Sequence, residues 1–315
     1  MARYDILIIG AGAAGLTAAL YATRRKLSTL VVSRDIGGQT ATTMDIENYP
    51  GIDFSTGPDL MHRFATQAKK FGAEIISTGV AHITKVPDGF EVVTDDQAVF
   101  QARSIILAFG KSHRHLDVPG EKEFLNKGVV YCATCDAPLF EGKSVAVIGG
   151  GNSAMDAAIL LSRIASTIYL VHRRDDFRAE AVLVDKVKAD PKIQLVLNTT
   201  IKEIKGEQFV NGLIVSTPTG ERELAVEGVF VEIGQVVNSD FLKDLVALSP
   251  VGEVVIDEHN ATSCPGIFAA GDVTTVPFKQ TVISAGEGAK AALAAYNYLQ
   301  GRSPGAKFAD QGYIK

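Results

Sequence analysis

Residues 5–15 read Asp5-Ile-Leu-Ile-Ile-Gly-Ala-Gly-Ala-Ala-Gly15, and residues 144–154 read Ser144-Val-Ala-Val-Ile-Gly-Gly-Gly-Asn-Ser-Ala154. In each copy a short apolar run precedes closely spaced glycines, and a segment with helical spacing follows, from Leu16 to Arg25 in the first copy and from Met155 to Arg163 in the second. This order predicts a strand, a tight turn and a helix. The offset of 139 residues between the copies also aligns residues 31–34 with residues 170–173. A repeat without slippage predicts two copies of one βαβ unit.

The glycines of the two turns indicate phosphate binding. A turn without side chains lets the backbone approach a pyrophosphate, whose charge is met by the amino-terminal end of the following helix. The matching positions are Gly10, Gly12 and Gly15 in the first turn and Gly149, Gly151 and Ala154 in the second. The chain is therefore expected to bind two dinucleotides.

A cysteine pair, Cys132-Ala-Thr-Cys135, lies shortly before the second turn and is followed by Asp136. Such a pair is either a redox-active disulfide or half of a zinc site. Zinc would need two further ligands at suitable spacing, and the only other cysteine, Cys264, is far away in the sequence. Asp136 is close enough in sequence to move a proton as the thiols form and break. The pair is predicted to be redox-active, with Cys264 as a structural residue.

A basic cluster about 20 residues after the second turn indicates which nucleotide binds there. It consists of His172, Arg173, Arg174 and Arg178. NAD sites usually place an acidic residue at this point, whereas NADP sites place arginine. Guanidinium groups match the oxygens of a 2′-phosphate in charge and geometry. The second turn is therefore predicted to bind NADPH.

The first turn is followed by Ser33, Arg34 and Asp35, which lack the acidic residue in its usual position. These residues do not indicate which nucleotide binds at the first turn. A nicotinamide gives a two-electron hydride and a disulfide takes electrons through thiolate chemistry, and a flavin bridges the two. The need for an electron carrier between the nicotinamide and the disulfide predicts FAD at the first turn.

Two polar stretches, residues 111–120 and 235–240, interrupt the pattern and are predicted linkers. Turn residues at 87–89 and 218–220 adjoin β-rich segments, which predicts an antiparallel meander beside each parallel sheet. The strand and alanine-rich helix after residue 266 are expected to return to the first domain.

We predict an α/β chain with two Rossmann-like dinucleotide-binding domains of the three-layer ββα type, the NADPH domain being inserted into the FAD domain. The predicted FAD domain comprises residues 1–114 and 244–315, and the predicted NADPH domain comprises residues 115–243.

Composition narrows the classes of function. The 315 residues are 46% hydrophobic and 21% charged, which is ordinary for an α/β protein of two domains. A net charge of -5 gives no basic surface for nucleic acid or anionic membranes. No apolar run approaches the ~18 residues of a membrane span, and the first residues enter a strand rather than a signal peptide. Three cysteines with one close pair fit a reducing compartment. We expect a cytoplasmic protein that binds neither nucleic acid nor membrane.

With these motifs assembled, the sequence resembles the low-molecular-weight thioredoxin reductases of bacteria and archaea along its whole length. The shared motifs are the two glycine turns, Gly37-Gly-Gln39, Glu47-Asn-Tyr-Pro-Gly51, Cys132-Ala-Thr-Cys135-Asp136, His172-Arg-Arg-Asp-Asp-Phe-Arg178, Ala269-Ala-Gly271-Asp272 and Lys279-Gln280.

The resemblance implies the residues that contact each cofactor. Tightly bound FAD is expected to contact Gly10, Gly12, Ala14, Gly15, Gly37, Gly38, Gln39, Asn48, Gly271, Asp272, Lys279 and Gln280. NADPH is expected to contact Gly151, Asn152, Ser153, Ala154, His172, Arg173, Arg174 and Arg178.

The resemblance also implies a mechanism in which NADPH reduces FAD, reduced FAD opens the Cys132–Cys135 disulfide, and the dithiol reduces thioredoxin or a thioredoxin-like protein. Cys135 is expected to face the flavin, Cys132 to attack the partner's disulfide, and Asp136 to serve as acid and base. Because the predicted inserted domain carries both the cysteine pair and the NADPH turn, a hinge at the two linkers is expected to present them to the flavin in turn. Members of the family are usually homodimers.

Two features depart from the family pattern. Val237 stands where many members have proline, and residues 274–280 and 286–290 look more like the flavoprotein reductase of the alkyl hydroperoxide system. That relative carries an additional N-terminal thioredoxin-like region, whereas this sequence begins at the first glycine turn, so a separate acceptor protein is expected.

Two alternatives remain at this stage. One is a related flavoprotein disulfide reductase that uses NADH or ferredoxin, or a glutaredoxin-like or peroxiredoxin-system acceptor. The other is a nucleotide-binding regulator whose cysteines sense redox state without turnover.

Overall fold

The computed structural model describes residues 2–43 and 46–306. Within them the strands are β1 (Ala2–Ala11), β2 (Thr29–Ile36), β3 (Glu74–Ser77), β4 (Val80–Val86), β5 (Gly89–Thr94), β6 (Val99–Leu107), β7 (Ser112–His113), β8 (Val129–Val130), β9 (Ser144–Ile148), β10 (Thr167–Val171), β11 (Ile193–Val196), β12 (Thr200–Gly206), β13 (Val210–Thr217), β14 (Gly220–Leu224), β15 (Gly228–Val231), β16 (Gln235–Val236) and β17 (Ile267–Ala269). The α-helices are α1 (Ala13–Arg24), α2 (Gly57–Lys70), α3 (Ala133–Asp136), α4 (Asn152–Leu161), α5 (Ala181–Ala189) and α6 (Thr281–Leu299).

The chain divides into two compact units. The described residues up to Ser112 and from Val236 onward form the first unit, and His113–Gln235 form the second. The chain passes between the units at strands β7 and β16, which pair with each other. Both crossings fall within the stretches that the sequence marks as linkers.

The first unit is built on a sheet with the strand order β3-β2-β1-β6-β5-β4, and β17 also pairs with β6. Strands β1, β2, β3, β6 and β17 are parallel, whereas β4 and β5 form an antiparallel meander. Because successive side chains of a strand point to opposite faces, Ile6 and Ile8 pack on the helical side and Leu7 and Ile9 pack on the other. The return of the terminal segment to the first domain, through β17 and α6, is confirmed.

The second unit has three layers. Its central sheet is parallel, in the order β11-β10-β9-β15-β8. Val145 and Val147 of β9 pack in the cluster that contains the α4 side chains, whereas Ala146 and Ile148 pack in the cluster that contains residues of the antiparallel sheet β12-β13-β14. The predicted fold class, two Rossmann-like domains with one inserted into the other, is confirmed.

Both predicted strand–turn–helix units are present, but their helices begin three residues earlier than the apolar spacing indicates. Helix α1 begins at Ala13 rather than Leu16, and α4 begins at Asn152 rather than Met155. The reason is local, because the middle glycine of each turn is already the N-cap and the turn itself supplies the first helical turn. In the described residues no helix is long and apolar enough to cross a membrane.

Candidate cofactor and redox sites

The outer positions of the first glycine turn are set by the protein's own packing. Gly10 has a φ of +105°, and a Cβ placed on it would clash with the Ala108 carbonyl group. A Cβ on Gly15 would clash with the Gly10 carbonyl oxygen. These two glycines let the strand turn sharply into α1, which is the role assigned to them in dinucleotide-binding turns.

The middle glycines of the two turns have open space instead. A Cβ on Gly12 would meet only the Gly37 carbonyl oxygen, at 3.8 Å, and one on Gly151 would meet nothing within 4 Å. No side chain caps α1 or α4, and neither helix has an acidic residue in its first turn. The start of each helix is thus suited to a phosphate group, and the residues at both turns fit a dinucleotide.

Several sequence-predicted FAD residues converge on Gly12. A Cβ on Gly38 would lie 3.8 Å from the Gly12 Cα, and one on Gly37 would lie 2.6 Å from the Ala41 Cβ. Gly271, which follows β17, lies against the first turn of α1, since a Cβ on it would lie 2.9 Å from the Ala14 Cβ. Chain segments that are far apart in the sequence therefore line one turn.

The polar members of the predicted FAD set also make contacts within the first unit. The Asn48 amide donates a hydrogen bond to the Gln280 side chain over 3.3 Å. The Ser284 hydroxyl donates to an Asp272 carboxylate oxygen over 3.2 Å. Burial raises the pKa of the Asp272 carboxyl, although the Ser284 hydrogen bond opposes the rise. Asn48, Gln280 and Asp272 are therefore held in position by neighbouring side chains.

Two residues that sequence reasoning missed, Lys111 and Glu253, join this group. The Lys111 Nζ lies 2.5 Å from a Glu253 carboxylate oxygen, and the Lys279 Nζ lies 3.6 Å from the same oxygen. The Lys111 carbonyl accepts a hydrogen bond of 2.6 Å from the Gln39 amide. Burial lowers the pKa of the Lys279 ammonium group, and the charge of Lys111 lowers it further. Two lysines thus share the Glu253 carboxylate, and the charges of both also act on the Asp272 carboxyl group, so two ammonium groups lie among two carboxyl groups.

At the second turn, His172 lies behind the glycines. A Cβ on Gly150 would clash with the imidazole ring, which is buried and stacks on Phe177 at a centroid distance of 5.5 Å. Its Nε2 has no hydrogen-bond partner among the described residues. Burial lowers the pKa of His172, and the charges of Arg173 and Arg174 act in the same direction. A neutral ring packed behind the turn supports its shape.

The three arginines of the basic cluster are exposed: Arg173, Arg174 and Arg178. None of them forms an ion pair with another of the described residues. The Arg178 N–H donates to the Gly150 carbonyl over 2.8 Å, which brings this segment to the glycine turn. Three guanidinium groups beside the second glycine turn, without an ion-pair partner in the described part of the chain, suit a phosphate group.

The remaining predicted NADPH residues begin α4. Asn152 is exposed and holds Glu180, donating to its carboxylate over 3.0 Å and accepting from its N–H over 2.9 Å. Ser153 is exposed and Ala154 is buried against the turn. Asn152 therefore ties the basic segment to the helix, a role that the sequence pattern does not reveal.

Cys132 and Cys135 form a disulfide at the start of α3, with 5.3 Å between their Cα atoms. Asp136 is buried, and its N–H donates to the Cys132 carbonyl over 3.0 Å. A second carboxyl group, missed by sequence reasoning, belongs to Glu232, to which the Ala133 N–H donates over 3.4 Å. The redox-active pair thus has two carboxyl groups on or beside it.

The residue before Cys132 is part of a hydrogen-bonded cluster. The Tyr131 hydroxyl donates to Glu121 over 2.7 Å, and this buried carboxylate also accepts from the N–H groups of Leu116 and Asp117, each over 2.8 Å. His113, predicted as a linker residue, packs on the Tyr131 ring at a centroid distance of 4.8 Å. The segment that leads into the cysteine pair is therefore fixed by Glu121.

Comparisons with known proteins agree with this geometry. The family model described as pyridine nucleotide-disulphide oxidoreductase matches residues 4–292. The thioredoxin reductase of Listeria monocytogenes is 41% identical over 94% of this chain and 94% of its own length. The NADH dehydrogenase of Bacillus subtilis is 42% identical over 94% of this chain and 58% of its own length. The chain thus spans about 58% of the length of the first curated relatives it matches.

A solved structure shows the same architecture. The crystal structure of thioredoxin reductase from Streptococcus pyogenes superposes with a TM-score of 0.90 at 39% identity, covering 95% of this chain and 99% of that one.

Proposed function

The chain belongs to the pyridine nucleotide-disulphide oxidoreductase family and, within it, to the low-molecular-weight thioredoxin reductases, and we propose that it is an NADPH-dependent flavoprotein that reduces the disulfide of thioredoxin or a thioredoxin-like protein. One observation carries this proposal: a single compact unit holds both the Cys132–Cys135 disulfide and a glycine turn flanked by three unpaired arginines. An electron donor site and an electron exit are thereby built into the same unit.

FAD, when bound, takes two electrons from a nicotinamide and can pass them to a disulfide. The residues of the first unit that would hold it surround Gly12. The open space at Gly12 admits the pyrophosphate to the start of α1. Lys111 and Lys279, which share Glu253, offer ammonium groups as hydrogen-bond donors. Asp272, kept in place by Ser284, offers carboxylate oxygens for hydroxyl groups of the cofactor.

NADPH is proposed as the donor because of the arginines. Their unpaired guanidinium groups are expected to bind the 2′-phosphate, which NADH lacks. Stopped-flow bleaching of the flavin by NADPH and by NADH compares the two donors directly. We expect faster bleaching by NADPH, and an equal or faster response to NADH would contradict the role given to the arginines.

The cysteine pair is proposed to act by thiol–disulfide exchange. The Cys132 thiolate attacks the partner's disulfide, Cys135 then displaces the partner, and the Cys132–Cys135 bond forms again. Two electrons and two protons pass from the pair to the partner, whose S–S bond is broken. Asp136, next to Cys135 and buried, is proposed to give and take the proton at these sulfur atoms.

A second candidate is a related flavoprotein disulfide reductase with another donor or acceptor. The similarity to a longer protein named NADH dehydrogenase supports this second candidate. This candidate predicts that NADH bleaches the flavin at least as fast as NADPH does, which the same donor comparison measures.

The direct test is an NADPH-coupled disulfide-reduction assay across the thioredoxins and glutaredoxin-like proteins of the source organism. We expect at least one thioredoxin to be reduced, with one NADPH consumed per disulfide. NADPH consumption that never depends on an added protein disulfide would reject the proposal in favour of the second candidate.

Assembly and location are proposed on family grounds. Because these reductases are usually homodimers and the cysteines fit a reducing compartment, we propose a cytoplasmic homodimer. Light scattering during size-exclusion chromatography tests the assembly, and a mass equal to the 33.5 kDa monomer would contradict it.

A further inference from the structure

Glu232 lies where the two functional segments of the second unit meet. It follows β15, which pairs with β8 on one side and β9 on the other. Because the three strands are parallel, their carboxyl ends share one edge of the sheet, where β8 leads to Cys132 and β9 leads to the second glycine turn. A Cβ on Gly149 would clash with the Glu232 carbonyl oxygen, so the backbone of this residue touches the turn.

The Glu232 side chain points to the cysteine pair. Its Oε1 accepts a hydrogen bond of 3.4 Å from the N–H of Ala133, the residue directly after Cys132. No cation among the described residues forms an ion pair with this carboxyl group. A carboxyl group in such a place is unusual, because burial without a cation disfavours its charged form.

The ionisation of Glu232 reflects this environment. Burial raises the pKa of the carboxyl to about 7, and the Ala133 hydrogen bond only partly opposes the rise. Near neutral pH the group is therefore poised between its charged and neutral forms. The other titratable groups on the surrounding elements are Tyr131 after β8, Asp136 on α3 and His172 behind the turn.

We propose that Glu232 is a positioning residue for the Cys132–Cys135 pair, whose carboxyl holds the peptide between the two cysteines and whose charge opposes the ionisation of either thiol. The inference rests on the proposed function, in which the pair is opened and closed during turnover. Two negative charges close together in a partly buried site repel each other, so the carboxyl and the thiols titrate as a coupled group.

The charge of Glu232 affects how many protons the cysteine pair takes up when it is reduced. Reduction breaks the Cys132–Cys135 bond and takes up two electrons from the reduced flavin. It takes up two protons when both products are thiols, or one proton when one product is a thiolate. A charged Glu232 favours two thiols, whereas a protonated Glu232 permits the thiolate, which is the form that attacks a disulfide.

The test measures the thiols without the electron donor or the protein acceptor. Wild-type enzyme and Glu232→Gln are reduced chemically, the reductant is removed, and the rate of alkylation by iodoacetamide is followed from pH 5 to pH 10. Peptide masses separate Cys132 and Cys135 from Cys264. The matched control is Glu227→Gln, because Glu227 lies at the opposite end of β15, where its carboxylate accepts the Ser144 N–H over 3.3 Å.

Glutamine keeps an acceptor oxygen for the Ala133 N–H and removes the charge. We expect the pH midpoint of alkylation of the more reactive cysteine to fall by about one unit in Glu232→Gln and to stay at the wild-type value in Glu227→Gln. A midpoint that is unchanged in Glu232→Gln, or equally lowered in both variants, would overturn the proposal.

A second measurement leaves Glu232 in place. Infrared difference spectra of Asp136→Asn, in which residue 136 no longer titrates, are recorded on chemical reduction at pH values around 7 and report whether the remaining carboxyl beside the pair changes its protonation when the disulfide opens. We expect such a change, and its absence across that range would overturn the proposal even if Glu232→Gln fails to fold. Neither measurement uses NADPH or thioredoxin, so a failed thioredoxin assay would count against the proposed function and not against this inference.

Discussion

Replacing Gly151 with alanine should separate nucleotide binding from stability. Gly151 has a φ of -106°, which alanine adopts readily, and its added Cβ would meet nothing within 4 Å. Alanine is a poorer N-cap than glycine, which lowers the free energy of unfolding by about 0.5–1 kcal/mol. Alanine also reduces the conformational entropy of the unfolded chain, which raises the free energy of unfolding by about 0.4–1 kcal/mol. The free energy of unfolding should therefore change by less than about 0.5 kcal/mol.

Binding should suffer much more, because the new methyl group occupies the space at the start of α4 that a pyrophosphate needs. Loss of one charge-assisted hydrogen bond weakens binding by about 1.5–3 kcal/mol. Since each 1.4 kcal/mol corresponds to a tenfold change, Gly151→Ala should raise the Kd for NADP⁺ about 10- to 100-fold. Isothermal titration calorimetry with NADP⁺ measures this change, and thermal unfolding measures stability on the same sample.

Gly149→Ala is the matched control. Its Cβ would clash with the Glu232 carbonyl and lie 2.8 Å from the Ala154 Cβ, so it should cost about 1–3 kcal/mol of stability. A Kd for NADP⁺ within threefold of wild type in Gly151→Ala, or a loss of stability in that variant as large as in Gly149→Ala, would refute the role given to Gly151.

Further substitutions test the remaining contacts. Replacing both Arg173 and Arg174 with alanine should raise the KM for NADPH at least about tenfold and leave the rate with NADH unchanged. An equal loss of activity with both donors in steady-state assays would contradict this. Glu121→Gln should destabilise the protein by about 1–3 kcal/mol in denaturant unfolding, because an amide N–H then faces the donors at Tyr131 and the backbone. A change in the free energy of unfolding below about 0.5 kcal/mol would count against this role of Glu121. Asp136→Asn should slow thioredoxin reduction about 10²- to 10⁴-fold while stopped-flow reduction of the flavin by NADPH stays at the wild-type rate; a parallel loss of both would show that Asp136 acts elsewhere.

Local sequence determines the parts of the fold that the repeat predicts. The spacing of the glycines and the flanking apolar runs specify a strand, a turn and a helix, and both units have them, through β1 and α1 and through β9 and α4. The turn residues at 87–89 and 218–220 likewise predict the meanders correctly. These features depend on residues that are neighbours in the chain, so the sequence is sufficient to find them.

Contacts between distant segments are what the sequence could not predict. Lys111 and Lys279 meet at Glu253 only because β6 and β17 are paired, which brings their following loops together. Glu232 reaches Ala133 only because β15 lies next to β8. A pattern of residue types carries no signal for such pairs, and the strand order is needed to see them.

The basic motif shows a different limit. Its sequence predicts four nucleotide contacts, yet His172 is buried behind the glycine turn and packs on Phe177, whereas the three arginines are exposed. Residue type alone does not distinguish a side chain that shapes a turn from one that faces a ligand, because both kinds of residue can follow the same strand end.

Electrons are proposed to leave the protein through Cys132. The most direct test is a paired measurement on Cys132→Ser: stopped-flow bleaching of the flavin by NADPH, and NADPH-coupled reduction of thioredoxin by the same sample, with Cys264→Ala as the control. We predict that Cys132→Ser loses thioredoxin reduction and keeps flavin bleaching, whereas Cys264→Ala keeps both. Thioredoxin reduction at the wild-type rate by Cys132→Ser would contradict the claim.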